Sequence, residues 1–281
     1  MNTAIFYVKE IKRMLFHSFE IINARFSGNE YCNACGFNGK RKYKNVLWTE
    51  LISEWELDEN WTGWFNEREG SYCVNCYSSL RTNQLAAALL KGFELLTGIN
   101  ERNLKDACRI SKLNDLKIAE INSAGTIHKF LEKIQGLYYS EYGSKMPKVR
   151  SENLEKLSYK DSFFDLVITS ETLEHVPDFN KALSEILRVL KPGGMHIFTI
   201  PVIWNRTSTK VRAKLENGSI VHLFPPSYHG APQDNFDDYL VFSEFGEDVV
   251  EVVKRAGFEV ELMRDENNKA LVTFLTRKAS V

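Results

Sequence analysis

Phe163-Phe164-Asp165-Leu166-Val167-Ile168-Thr169 is a short apolar run. It is followed by Glu174-His175-Val176-Pro177-Asp178, and then by Phe179, Ala182, Leu183, Ile186, Leu187 and Leu190 at helical spacing. Lys191-Pro192-Gly193-Gly194 then stops the helix, and a second apolar run covers residues 196–200. A strand at 164–169, an amphipathic helix and a strand at 196–200 make one β-α-β unit, and such a unit implies parallel strands with a buried crossover helix. The loop 170–178 lies at the carboxyl end of the first strand, the edge at which open α/β sheets hold ligands.

The same alternation extends in both directions. Residues 117–121 and 136–141 read as two earlier strands. Val249, Val250, Val252 and Val253 before Gly257 read as a helix, and 258–263 and 271–277 as two strands joined by a polar turn at 265–269. Upstream, Leu85, Leu89, Phe93 and Leu96 mark a helix over 80–96 that ends near Gly98. The expected fold class is α/β: a Rossmann-like, mostly parallel, seven-stranded sheet with an antiparallel terminal strand, plus a small N-terminal zinc-binding module. The expected divisions are 1–79 for the module, 80–115 for a linking helical segment and 116–281 for the Rossmann-like domain.

The module rests on Cys32-Asn33-Ala34-Cys35 and Cys73-Val74-Asn75-Cys76. Each C-x-x-C pair presents two thiolates from one tight turn, and four soft ligands suit tetrahedral zinc. The long gap between the pairs must fold as an insertion carrying Trp48, Trp55, Trp61 and Trp64. A redox dithiol, a rubredoxin-like iron site and catalytic zinc are the alternatives; four thiolates close the coordination sphere, so structural zinc is the expectation. Cys108 stands alone and reads as a small core residue.

Residues at the presumed ligand edge are the candidate site. Glu120 closes the first strand, and Glu141 ends the second at the spacing where an acid meets a ribose in Rossmann-like sheets. Leu157, the stretch Asp161-Ser162-Phe163-Phe164-Asp165-Leu166-Val167, the Glu174-His175 pair and the Arg188-Val189-Leu190-Lys191-Pro192-Gly193-Gly194 turn together resemble class I S-adenosylmethionine-dependent methyltransferases, of the type 11 kind. The resemblance covers about 116–263 and is most specific over 163–201. It implies that Glu120 and the loop Asn122, Ser123 and Gly125 cradle the methionine part of S-adenosylmethionine, that Glu141 binds ribose hydroxyls, that Asn153 faces adenine, and that Ser170 or Glu171 lines the sulfonium side. The first loop departs from the family's glycine-rich pattern: Asn122, Ala124 and Thr126 stand at glycine positions, and a Cβ obstructs close backbone approach.

His175 and His229 are the candidate catalytic bases, and Asp165 reads as a strand-entry residue. His229 lies in a long polar insertion over 206–230, which also contains Arg212 and His222 and is placed to cover an acceptor. Its Pro225-Pro226-Ser227-Tyr228-His229-Gly230 string resembles that of a bacterial methyltransferase subgroup associated with glycan acceptors. The expected activity is therefore methyl transfer from S-adenosylmethionine to a small-molecule or glycan acceptor, at oxygen in preference to nitrogen. A non-catalytic scaffold with a degenerate fold and an RNA-modifying methyltransferase are the alternatives.

Composition bounds these readings. The net charge is −1 and there is no long Lys/Arg block, so nucleic acid is not an expected partner. Ile5, Val8, Ile11, Leu15, Phe19 and Ile22 predict an N-terminal helix packed on the domain; Lys9, Glu10, Lys12 and Arg13 interrupt any apolar run, so neither a signal peptide nor a membrane span is expected. The expected setting is cytoplasmic, where disulfides are disfavoured. The oligomeric state is not legible.

Overall fold

The computed structural model describes residues 2–229 and 239–280, without the side chains of 2–12, 15 and 16. In chain order the elements begin with helix α1 (Asn2–Ser27), strand β1 (Lys42–Tyr43), helices α2 (Thr49–Glu54) and α3 (Glu59–Gly70), strand β2 (Ser71–Tyr72), and helices α4 (Leu80–Thr97) and α5 (Leu104–Ala107). Strand β3 (Ile118–Ile121), helix α6 (His128–Leu131), strands β4 (Leu137–Ser140) and β5 (Phe164–Ser170), helix α7 (Phe179–Val189) and strand β6 (Leu190–Thr199) follow. The chain closes with short strands β7 (Lys210–Val211), β8 (Ala213–Glu216), β9 (Ser219–His222) and β10 (Ser243–Glu244), helix α8 (Val249–Arg255), and strands β11 (Phe258–Arg264) and β12 (Val272–Lys278).

The main sheet has the order β11-β12-β6-β5-β3-β4. β4, β3, β5 and β6 are mutually parallel, and β12 runs antiparallel to both β6 and β11. One expectation is corrected here. The sheet has six strands among the described residues where seven were expected, because the segment after β4 makes a single parallel bridge, Ser140 to Arg150. Gly143 and Pro147 interrupt that segment; Gly143 has φ +67° and Pro147 has no amide to give a ladder. The expected antiparallel terminal strand is β12, the last of the chain, which inserts between β6 and β11 and does not lie at an edge.

The local devices follow from the residue types. α4 starts on Ser79, whose hydroxyl accepts from the Thr82 amide at 3.2 Å, and stops at Gly98 in the left-handed conformation. α7 starts on Asp178, which accepts from the Lys181 amide at 3.0 Å. The Lys191–Gly194 turn lies within β6 as a bulge: Phe164 pairs with Leu190 and Leu166 already with Met195. Asp265 receives the amides of Asn267 and Asn268 at 2.8 and 2.9 Å, which closes the β11-β12 hairpin.

Alternation along the strands divides the core into two layers. Ile118, Leu166, Ile168 and Ile197 pack with Leu85, Leu89 and Phe93 of α4, in a cluster that also contains Cys32, Cys73 and Cys76. Ala119, Val167, Phe198 and Phe274 pack with Leu183 and Ile186 of α7 and Val249 and Val253 of α8. On this face, β6 and β12 are thus covered by a helix that precedes the sheet in sequence. α1 forms as predicted, but Phe19 and Ile22 are exposed and the contact to the body is made by Ile21 and Ala24; the side chains of Ile5, Val8, Ile11 and Leu15 lie outside the described residues. No described helix is long and apolar enough to cross a membrane.

Candidate active site and metal centre

The cysteine pairs occupy two equivalent turns. Cys32 N donates to Phe37 O at 2.8 Å and Gly36 N to Cys32 O at 2.8 Å; Cys73 N donates to Ser78 O at 3.0 Å and Tyr77 N to Cys73 O at 2.8 Å. Gly36 and Tyr77, at matching positions, both take positive φ, +76° and +65°. The turns face each other across the β1-β2 ladder and bring Cys32 Sγ to 3.6 Å from Cys76 Sγ and Cys35 Sγ to 3.9 Å from Cys73 Sγ. Zinc–sulfur bonds of about 2.3 Å in a tetrahedron require sulfurs about 3.8 Å apart, so the four ligands fit the ion. A hydrogen bond from Cys32 lowers the Cys35 thiol to about 6, and Asn75 Nδ2 donates to its sulfur at 3.3 Å. Cys108 is buried elsewhere and its thiol is pushed up to about 12 by burial, as a core residue would be.

These turns are wired to the sheet edge. Thr126 hydroxyl meets Ser78 hydroxyl at 3.1 Å, Lys129 Nζ donates to Cys76 O at 2.8 Å, and Asn33 N donates to Asn83 Oδ1 at 2.7 Å. The loop after β3 is therefore held from both sides. Asn122 adopts φ +57°, a conformation asparagine tolerates, and its Oδ1 accepts from Tyr142 N at 2.8 Å. Glu120 is buried; its Oε1 accepts from Ala124 N at 2.8 Å and its Oε2 from His128 Nδ1 at 2.7 Å. That bond to Glu120 raises the His128 pKa. Glu141 Oε1 accepts from Ser123 N at 3.1 Å and from the Tyr139 hydroxyl, while Oε2 has no protein donor among the described residues. Asn153 is exposed in its loop, with Oδ1 accepting from Glu155 N at 2.8 Å. Glu120, Asn122, Ser123, Gly125 and Glu141 are thus brought together at the carboxyl ends of β3 and β4.

Ser170 and Glu171 close β5 at the same edge, but protein groups already bind them. Arg81 Nη1 donates to Ser170 Oγ at 2.6 Å, and the buried Arg68 grips Glu171 in a fork, Nη1 to Oε2 at 2.8 Å and Nη2 to Oε1 at 2.7 Å. Burial opposes the Glu171 charge, yet the guanidinium groups of Arg68 and Arg81 outweigh it and hold the carboxyl down at about 2. Neither arginine stands out in the sequence, because each lies in a segment whose place over the sheet only the tertiary fold reveals. Asp165 is at the opposite end of β5, paired with Lys191 at 2.7 Å, as a strand-entry residue.

Beyond β5, Glu174, His175 and His229 converge. His175 Nε2 lies 3.9 Å and His229 Nε2 4.0 Å from Glu174 Oε1. Glu174 is fully buried and neither of its oxygens has a hydrogen-bond partner among the described residues. Burial raises its pKa, with the nearby Glu171 charge acting in the same direction. Burial also lowers both histidines, His229 to about 3, so both rings are neutral at pH 7. Trp55, from the insertion between the cysteine pairs, donates to Ser227 Oγ at 3.0 Å and stacks edge-on against His229 at 5.5 Å. The 206–229 insertion thus covers this end of the sheet together with α2 and α3. Arg212 is buried within it and pairs with Glu244, whereas His222 is exposed on the β8-β9 hairpin, away from the cluster.

Residues 125–198 match the family model described as a methyltransferase domain. That stretch, 74 of the 281 residues, is similar to a methyltransferase domain. Among curated proteins, the chain is 30% identical over 135 residues to the ubiquinone/menaquinone biosynthesis C-methyltransferase UbiE of Pectobacterium carotovorum, covering 47% of this chain and 49% of that protein. It is 34% identical over 107 residues to the demethylmenaquinone methyltransferase of Lactobacillus johnsonii, covering 34% and 42%. The chain therefore spans about half the length or less of these relatives. Among solved structures, an S-adenosylmethionine-dependent methyltransferase from Mesorhizobium loti has a TM-score of 0.40 at 15% identity, covering 62% of this chain and 96% of that one. The 1,6-didemethyltoxoflavin-N1-methyltransferase of Burkholderia thailandensis, solved with S-adenosylhomocysteine, has a TM-score of 0.39 at 18% identity, covering 70% and 90%.

Proposed function

We propose that the chain is an S-adenosylmethionine-dependent methyltransferase acting on a small-molecule or glycan acceptor, with a structural zinc in the four-cysteine turns. The observation that carries it is the joint placement of Glu120, the Asn122–Gly125 loop and Glu141 at the carboxyl ends of two adjacent parallel strands, with a covered, neutral imidazole pair beyond β5. Glu141 Oε2 suits a ribose diol, and Gly125 has room at its Cα: an added Cβ would meet only Thr82, at 3.6 Å. The bound cofactor supplies an electrophilic methyl, and the chain's task is to align the acceptor and exclude water. His175 and His229 are the candidate bases for an acceptor hydroxyl proton; burial weakens both, His229 the more, so the proton would have to leave as the carbon–oxygen bond forms. The UbiE relative is a C-methyltransferase, and for C-methylation the same base would take a proton from carbon or from an adjacent hydroxyl. A cytoplasmic setting accords with four unoxidised cysteines at the metal centre.

Calorimetric titration of the zinc-loaded protein with S-adenosylmethionine and S-adenosylhomocysteine tests the reading. One site per chain, weakened by Glu141→Ala, is the expected result. No binding of either ligand would instead leave a degenerate fold whose sulfonium-side residues are consumed by Arg68 and Arg81, as a scaffold would have them.

A further inference from the structure

We propose that Glu174, His175 and His229 form a binding site for a divalent first-row metal ion, with coordination positions beyond the three protein ligands left unfilled, distinct from the four-cysteine centre. The three ligand atoms lie within 4.8 Å of one another. The donor set, two imidazole nitrogens and one carboxylate with positions left open, is one that such ions accept.

Three observations point to a cation. Among the described residues, both oxygens of Glu174 are buried and without donors, and His229 Nε2 is buried and unpartnered beside them. A carboxylate removed from water with no hydrogen bond is costly, so the cluster as it stands is incomplete. His175 is also oriented as a ligand: its Nδ1–H donates to Leu240 O at 3.0 Å, which leaves the lone pair on Nε2 facing Glu174. A backbone carbonyl on the far nitrogen is the usual way a metal-binding imidazole is fixed in tautomer and direction.

Charge supplies the third observation. Arg68 and Arg81 pair with Glu69 and Glu171, and neither reaches a Glu174 oxygen. Of the three carboxyl groups beside these two guanidinium groups, Glu174 is the one that no described cation pairs with. An ion with ligand distances of about 2.1 Å needs neighbouring ligand atoms about 3.0–3.5 Å apart. The observed 3.9 and 4.0 Å therefore call for a closure of roughly half an ångström to one ångström. Side-chain rotation of Glu174 and movement of the 227–229 loop can supply it. An ion so held would bind an acceptor oxygen and lower its pKa, replacing a free imidazole as the means of releasing the proton; that role rests on the methyl-transfer reading, whereas the ion site does not.

The test uses the full chain loaded with one zinc per chain. Mn2+, a hard ion that avoids the cysteines, is titrated and followed by the electron paramagnetic resonance of the free ion, with Co2+ absorption as a second probe. The expected result is one Mn2+ per chain beyond the zinc, weakened more than about tenfold in Glu174→Gln and in His229→Gln, with zinc content and melting temperature unchanged. Removing a group that only orients a metal ligand already costs about 10–100-fold in affinity, so a lost ligand should exceed that lower bound. Wild-type protein that takes up neither Mn2+ nor Co2+ beyond its zinc would overturn the proposal, as would Glu174→Gln binding Mn2+ like wild type. S-adenosylhomocysteine titrated into the same sample separates the two readings: its binding without Mn2+ uptake would leave methyl transfer standing and assign Glu174 a proton in place of an ion.

Discussion

The four-cysteine turns and the Glu174-His175-His229 cluster are two convergences of ligand-type residues in one chain, built in opposite ways. Each cysteine pair is fixed by hydrogen bonds within six residues, Cys32 N to Phe37 O and Cys73 N to Ser78 O. Across the two pairs, two sulfur separations are tetrahedral and all four sulfurs lie within 4.8 Å of one another; four thiolates on one ion leave no further position. The second cluster draws His229 from a loop braced by Trp55 and Ser227, and Glu174 and His175 from the turn after β5. Its ligand atoms stand wider than a bound ion would hold them. A closed site made by local geometry holds a fold together; an open site made by tertiary geometry leaves a face for something else.

The sharpest way to break that contrast is to remove one ligand from each. Cys76→Ser should lose the ion and the cooperative melt together, since structural zinc in small domains carries about 10–16 kcal/mol of apparent binding energy at pH 7. Glu174→Gln should leave the melting temperature within a few degrees of wild type. Zinc analysis and calorimetry of the two variants check this; a Cys76→Ser protein that melts like wild type would make the turns ornamental.

Arg68 ties the two regions, because it comes from α3, between the cysteine pairs, and holds Glu171 beside the second cluster. Arg68→Met leaves a largely buried carboxylate without its partner and should cost about 3–5 kcal/mol in denaturant unfolding. Pairing it with Glu171→Gln should recover a substantial part of the loss, and a double-mutant cycle measures the coupling.

A smaller effect is expected where α4 meets the sheet. A Cβ at Gly92 would lie 2.5 Å from Ile197 Cδ1. Overpacking costs about 1–3 kcal/mol, and the helix propensity gained returns up to about 1 kcal/mol. Gly92→Ala should therefore destabilise slightly, and a stabilised variant would show that α4 sits more loosely than its burial indicates. The smallest effect is that of His128. Its pKa is raised by Glu120, so its contribution to stability is fully present below the unfolded value near 6.5 and fades as pH rises through the folded value. A His128→Gln variant should show a flatter stability profile from pH 6 to 8 by thermal melting.

The sequence made the cysteine turns legible because C-x-x-C spacing alone brings two ligands to one side of a turn. It made the strands legible because their apolar runs are bounded by glycine, proline and polar residues. Glu120 and Glu141 were legible as strand ends. Arg68, Arg81 and Trp55 were not, because nothing local to α2, α3 or the start of α4 says that these segments lie across the carboxyl edge of a sheet that follows them. Glu174 was visible as half of a Glu-His pair, but its unpartnered burial is a tertiary property. The missing seventh strand failed for a local reason that could have been weighed: Gly143 and Pro147 interrupt the segment that would have formed it.

The position of α4 has a consequence for the order in which the protein is made. Leu85, Leu89 and Phe93 leave the ribosome well before Ile118, Leu166 and Ile197, against which they pack, and Gln84 bonds Thr273 across 189 residues of chain. The N-terminal region can close its metal turns early, but the apolar stripe of its longest buried helix stays uncovered until most of the sheet has been synthesised. Contacts of such sequence separation form late and slowly. In the nascent chain that helix is a waiting surface, and the final hairpin completes the layer it belongs to.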